Sequence, residues 1–287
     1  VSVSGDELGR RQVGQTSMAL QGLAPGVVVT QRGGQPGNDG GSISIRGLTT
    51  LNNNSVLVLV DGVEMALNNI DPAMIESISV LKDAASSAIY GSRAANGVIL
   101  VTTKRGQENK LTLSYNMYAG WQESTDLPKI VGALDHMSLL NEAYVNAGSS
   151  PLYTPEFIEE YRSGMQINPD RYPNTDWYRS VLVGDGFMQN HTVSLSGGTE
   201  KARVFASLSH LDQNGIIPNT NYKRSSLKIN SDFEFSKAVS VQIDASIIQS
   251  KTKAPSRGTS QAIHDAGRIP ANQSAVYSNV LWGEGWN

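Results

Sequence analysis

Cysteine is absent from all 287 residues, so the chain has no disulfide framework, no thiolate zinc site and no thiol nucleophile. Long apolar runs are missing too. The longest obvious one, residues 56–60 (VLVLV), is far short of the ~18–20 residues of a membrane-crossing helix. That excludes a helical membrane protein but not a transmembrane β-barrel, whose alternating lipid-facing and lumen-facing residues keep mean hydropathy low. Positive charge is not in excess: the net charge is −3 and Lys and Arg are scattered, which leaves no electrostatic footprint for nucleic acid. Signs of catalysis are few. His136, His191, His210 and His264 lie far apart and form no HExxH pair. Neither a GxxxxGKS/T phosphate loop nor a GxSxG elbow occurs, so no catalysed reaction and no cofactor are expected. Gly33, Gly34, Gly37, Gly40 and Gly41 crowd one stretch, but no helix pattern follows to complete a phosphate cradle, and a mobile loop is expected there.

What is present suffices for a core, with 39% hydrophobic residues. The first hundred residues read as a small α+β domain. A helix-length segment at 16–23 ends in an Ala-Pro-Gly turn, and residues 27–30 are β-branched. Residues 42–46 alternate as a half-buried strand, and residues 56–60 should be buried on both faces. Asp61 and Gly62 turn the chain. Asp71 before Pro72 is a helix N-cap with proline at the first position, which predicts a short helix over 72–76 and then a strand over 77–81. Asp83 is expected to cap a second short helix running to Tyr90, before a last strand over 98–103. A boundary is placed near residue 107, with domains at 1–106 and 107–287.

Beyond it the pattern changes to long alternating strands. In 111–121 the odd positions are Leu111, Leu113, Tyr115, Met117, Ala119 and Trp121, and the even ones are mostly polar. Residues 225–235 and 239–247 alternate likewise, with charge-free odd faces, and weaker strands are read at 187–197 and 202–211. Their connections alternate in length. Long links at about 122–186 and 250–287 contrast with tight turns near 197–200 and 236–238, and a link of about ten residues lies between. Short turns on one side and long loops on the other are the habit of outer-membrane barrels. A soluble antiparallel sandwich alternates as well, but its strands average about five or six residues. On the barrel reading, charges at Ile229 or Ile243 should be costly and charges at Asn230 or Gln242 mild.

Residues 42–106 carry the most specific block: SISIRG, VLVLVDGVEM and DPAMIESISVLKDAASSAIYGSRAANGVILVTTKRG. It resembles the plug domain of TonB-dependent outer-membrane transporters, with wording nearest the SusC/RagA branch. The segment 168–178 (NPDRYPNTDWY) is also similar to SusC-like proteins. The resemblance implies an α+β plug followed by antiparallel transmembrane strands, an incomplete part of a barrel of twenty-two strands, in the outer membrane of a Gram-negative bacterium. It implies import of a large nutrient, a glycan or oligosaccharide first and a peptide second. A TonB–ExbB–ExbD complex would supply energy through an N-terminal segment outside this sequence, and a SusD-like surface lipoprotein and outer-membrane lipid are expected partners. The chain opens at Val1 without a leader, so a signal peptide is expected to lie outside it. The rival readings are a soluble or periplasmic binding module with a plug-like fold and a substrate-sensing signalling receptor.

For site residues, the resemblance points to Arg46 and Arg93 as a latch onto barrel carboxylates, a contact that a bidentate arginine makes strong yet breakable. Glu76 and Lys82 match neighbouring family positions and are expected to join that network. Trp121, Tyr153, Trp177 and Tyr178 are candidates for substrate stacking or for an aromatic girdle at the membrane boundary.

Overall fold

The computed structural model describes residues 1–31, 33–45, 47, 55–82 and 88–275, with positions 88 and 92 as backbone only. Arg46 and the start of the helix expected after Asp83 lie outside the described residues. The chain forms two compact units. The first comprises Val1–Gln122, Asp185–Gly215 and Asn219–Lys253, so the N-terminal domain and all five long strands share it. The second holds Glu123–Gly184, Ile216–Pro218 and the described residues from Ala254 on.

The N-terminal domain is built on a mixed sheet in the order β1-β6-β7-β4-β5. Its strands are β1 (Ser2–Ser4), β4 (Leu57–Val60), β5 (Val63–Glu64), β6 (Ile75–Leu81) and β7 (Val98–Thr103). β4 and β7 run parallel and the other pairs antiparallel. A separate hairpin joins β2 (Val27–Gln31) to β3 (Gly41–Ile45), and short helices α1 (Gly5–Gly9) and α2 (Thr16–Ala19) cover the core. That core gathers Leu8, Leu20, Met74, Ile75, Ile78 and Ile99, all fully or almost fully buried. The expected 16–23 helix is a single turn that stops at Ala19. The segment after Asp71 is a 3-10 turn, Pro72–Met74, and β6 starts at once with Ile75, because Ile75 is drawn into the core. Asp61 (φ 49) and Gly62 (φ 86) form the two-residue link between β4 and β5, and positive φ at both positions is the signature of a type I′ hairpin turn.

The second sheet is antiparallel in strict sequence order: β8 (Thr112–Trp121), β9 (Phe187–Gly198), β10 (Ala202–Asn214), β11 (Asn221–Ser236) and β12 (Val239–Lys253). Its strands run from 10 to 16 residues, long enough to cross a bilayer when tilted, for which ~9–11 suffice. β10, β11 and β12 run past their expected bounds at the loop end, so the link between β10 and β11 shrinks to residues 215–220.

The two faces of this sheet invert the usual order of a soluble protein. Val193, Leu195, Leu208, Ile229, Ile243 and Ile247 are exposed, Leu208 to 57% and Ile247 to 66%. Thr192, Ser209, Gln213, Ser226, Lys228 and Asn230, on the opposite face, are buried, and Lys228 is only 4% exposed. A water-soluble sandwich would bury the first set and expose the second. No helix among the described residues is long and apolar enough to cross a membrane, which says nothing of strands.

In the second unit, helices α3 (Ala133–Asn146) and α4 (Pro155–Ile167) pack around Ala133, Met137, Tyr161 and Ala271. A short α5 (Trp177–Val181) lies against α6 (Thr259–Ala266).

Candidate functional site

The polar face of the long sheet is buried by the N-terminal domain, and side chains bond across their contact at several points. Four side chains of that domain and its exit anchor it. The first is Asp61, held by its hairpin turn. It receives Lys228 Nζ at 2.8 Å, with both side chains only 5% exposed. The Thr103 amide donates to its Oδ1 at 2.9 Å and the Thr103 hydroxyl to its Oδ2 at 2.6 Å. Asn230 of β11 extends the cluster, its Nδ2 donating to Thr103 Oγ1 at 2.6 Å and to the Lys104 carbonyl at 2.8 Å. Burial works to raise the Asp61 carboxyl, but the Lys228 ammonium and the two Thr103 donors together hold it below the usual carboxylate range.

Asp71 does two jobs with two oxygens. Oδ1 caps the 3-10 turn by accepting from the Ala73 amide at 2.8 Å. Oδ2 accepts from the sheet: Asn190 Nδ2 at 3.1 Å, Thr192 Oγ1 at 3.3 Å and the Ser209 hydroxyl. Arg105 follows β7 and forks between two strands, Nη1 to Asp232 at 2.8 Å and Nη2 to Asp244 at 3.1 Å. With its amide oriented to accept, Gln242 takes Arg105 Nη1 at 2.7 Å as well. Asp39, in the glycine-rich loop, accepts from Gln213 Nε2 at 2.7 Å. Its other oxygen is buried with no hydrogen-bond partner among the described residues, so this tether is less completely satisfied than the one at Asp61. Arg224 donates to the Asn68 carbonyl, and the Tyr118 hydroxyl to the Val13 carbonyl at 3.0 Å.

The residues expected from sequence sit elsewhere. Arg93 pairs with Glu64 at 2.6 Å, a residue of its own domain, with the two side chains 72% and 59% exposed. Glu76 is exposed on β6, and Lys82 is half-buried with its ammonium beside Gly26. Trp121 lies on the apolar face, 74% exposed, packed against Phe187 with ring centroids 5.4 Å apart. The other three aromatics hold the second unit together. Tyr153 stacks on Phe157 and is bracketed by Asn141 through two backbone bonds. Trp177 Nε1 donates to the Pro270 carbonyl at 3.0 Å, and the Tyr178 hydroxyl lies beside Gly267.

Sequence reasoning took Asp61 only for a turn residue and Asp71 only for a cap, and it expected charges at Asn230 and Gln242 to be mild without assigning those side chains a partner. The structure supplies partners for both, in the N-terminal domain or its exit. The signal that was available is a lone lysine, Lys228, amid the small and polar residues of a strand face, which asks for a buried partner.

A polar strand face covered by an α+β domain, with an apolar face turned outward, is the arrangement of a plug domain against barrel-type strands. Comparison with known proteins agrees. Residues 1–98 match the TonB-dependent receptor plug domain. A TonB-dependent receptor of Formosa agariphila is 35% identical over 243 residues, covering 82% of this chain and 23% of that protein. The TonB-dependent receptor SusC of Bacteroides thetaiotaomicron is 29% identical over 292 residues, 97% of this chain and 27% of that protein. The chain thus spans about a quarter of the length of these curated relatives. The RagAB peptide transporter superposes with a TM-score of 0.76 at 20% identity, over 98% of this chain and 35% of that one. The chain belongs to the TonB-dependent receptors and is of the SusC/RagA type. These relatives are receptors and transporters, not enzymes.

Proposed function

We infer that this chain supplies the plug and the first wall strands of an outer-membrane importer for a nutrient too large for open porins. The observation that carries this reading is the contact between plug and wall. Many of its ties are polar or ionic, with Asp61, Asp71 and Arg105 bonded to β9–β12, and such ties seal a pore yet exchange for water when the plug moves. An apolar glue would not reverse in this way. Energy enters from the TonB–ExbB–ExbD complex through a segment ahead of β1. A pull applied there acts first on an edge strand held to β6 by three residue pairs. A SusD-like surface lipoprotein covers the loop side, and the family's latch role for Arg46 and Arg93, with Glu76 and Lys82, is kept as part of this proposal.

A glycan or oligosaccharide is kept as the first substrate class, as the family resemblance implies, and a peptide, the cargo named for the RagAB transporter, is the second. Uptake by the full-length protein in a strain lacking it tests the reading, with labelled oligosaccharides and peptides offered in parallel. Import of one class should occur and should stop when the proton gradient is collapsed. If neither class enters, or if import survives that collapse, the energised-importer reading is lost.

A further inference from the structure

Among the ties between plug and wall, the one at Asp39 differs in how its bonds are shared. Gln213 lies on the polar face of β10 near its loop end and is 0% exposed. Its Nε2 gives one hydrogen bond to Asp39 Oδ2 at 2.7 Å and a second to Gln122 Oε1 at 3.1 Å. Asp39 belongs to the glycine-rich loop of the N-terminal domain. Gln122 is the residue at which β8 gives way to the long link, and its amide donates to the Gly186 carbonyl at 2.9 Å, which closes the foot of that link. One side-chain amide therefore joins the foot of the long link to a loop of the plug. Because both hydrogens sit on a single planar nitrogen, the bond to Gln122 fixes the direction of the bond to Asp39.

Around this group the chains lie too close for slack. A Cβ at Gly14 would stand 2.6 Å from Gln213 Oε1, one at Gly37 2.4 Å from the Tyr222 ring and one at Gly215 3.1 Å from Pro36. Packing this tight passes a displacement on instead of absorbing it. Hydrogen bonding at the same place is incomplete. Gln213 Oε1 and Asp39 Oδ1 are both buried without a partner among the described residues, whereas the Asp61 carboxylate receives Lys228 and two donors of Thr103. Buried polar atoms left unpaired raise the free energy of the present arrangement, and any other that brings them water or a donor relieves it. The Asp39 tie is therefore easier to release than the one at Asp61.

We propose that Gln213 is a coupling joint: a shift at the foot of the long link, passed on through Gln122, releases or restores the hold on the glycine-rich loop of the plug. Gln213 is a positioning residue, since it acts through Asp39. The inference rests on the importer reading for the direction of use, cargo meeting the long link first and the plug second. It goes beyond that reading in naming the group that connects the two.

The test needs no cargo. Hydrogen exchange of the full-length protein in nanodiscs, read by mass spectrometry over residues 33–41, reports how firmly the loop is held. Gln122→Leu removes the acceptor and should speed exchange there about tenfold, the scale of one lost bond. Gln122→Glu keeps an acceptor and should stay near the parental rate. Gln213→Leu should speed exchange at least as much, and adding Gln122→Leu to it should change nothing further. Exchange over residues 98–103, in the plug sheet, should hold at the parental rate throughout, which a general loosening of the domain would not allow. If Gln213→Leu raises it there, Asp39→Ala takes its place in the cycle. Parental exchange over 33–41 in Gln122→Leu, or effects that add in the double variant, overturns the joint. Uptake by the parental protein is scored separately, so absence of import with the coupling intact removes the importer reading alone.

Discussion

At the scale of single residues, the Asp61–Lys228 pair has the largest stake. Both side chains are buried, so removing one partner strands a charge at a cost of ~3–5 kcal/mol, whereas removing both is far milder. Lys228→Met in the full-length protein should loosen the plug, seen as frequent openings in planar bilayers. Asp61→Asn/Lys228→Met should restore most of the seal, because asparagine tolerates the positive φ of the turn and keeps an acceptor for Thr103. If the double variant leaks as much as the single one, the pair is not the anchor. Acid should act on the same site. A carboxyl held below its unperturbed value contributes stability above that value and loses it as pH falls through the lowered one. Conductance should therefore stay flat from pH 7 to about pH 5 and rise below about pH 4, and Asp61→Asn should flatten that rise. Arg93, in a pair open to solvent, should alter stability by ~1 kcal/mol or less on alanine substitution. Loss of energised uptake in Arg93→Ala without loss of stability would identify it as a latch.

At the scale of elements, the two faces of β11 and β12 predict two different failures. Arginine at Ile229 or Ile243 puts a charge on the apolar face and should cost ~2–4 kcal/mol near the midplane, visible as protein that fails to assemble in the membrane. Asn230→Asp lies on the opposite face. It removes both donors to Thr103 and Lys104 and buries a carboxylate without a partner, for about 3 kcal/mol. That variant should assemble normally and leak. Assembly defects of equal size at Ile229 and Asn230 would contradict the assignment of faces.

At the scale of the molecule, the outward apolar face and the open edges at β8 and β12 determine how this segment behaves by itself. Expressed alone, residues 1–287 should need detergent, because exposed Leu208, Ile229, Ile243 and Ile247 lie on a sheet with unpaired edge strands. Light scattering checks this directly. A monodisperse monomer in plain buffer would favour a soluble binding module. Residues 1–106 alone should be more soluble, since their core closes on itself around Leu8, Ile78 and Ile99.

Local pattern was enough for much of this. Strand alternation placed all five long strands within a few residues at most ends, the Asp71-Pro72 cap and the Asp61-Gly62 turn fell where expected, and β7 occupies 98–103 as read. Such features depend on neighbours along the chain, whose side-chain periodicity and backbone preferences are written in order. What seals plug to wall could not be read that way. Asp61 meets Lys228 across 167 positions, Asp71 meets Ser209 across 138 and Arg105 meets Asp244 across 139. In sequence, each of these carboxylates and cations resembles an ordinary cap, turn or solvated strand residue. Only tertiary packing decides which are taken from water together, and a charge withdrawn from water persists only beside the partner that the fold delivers to it.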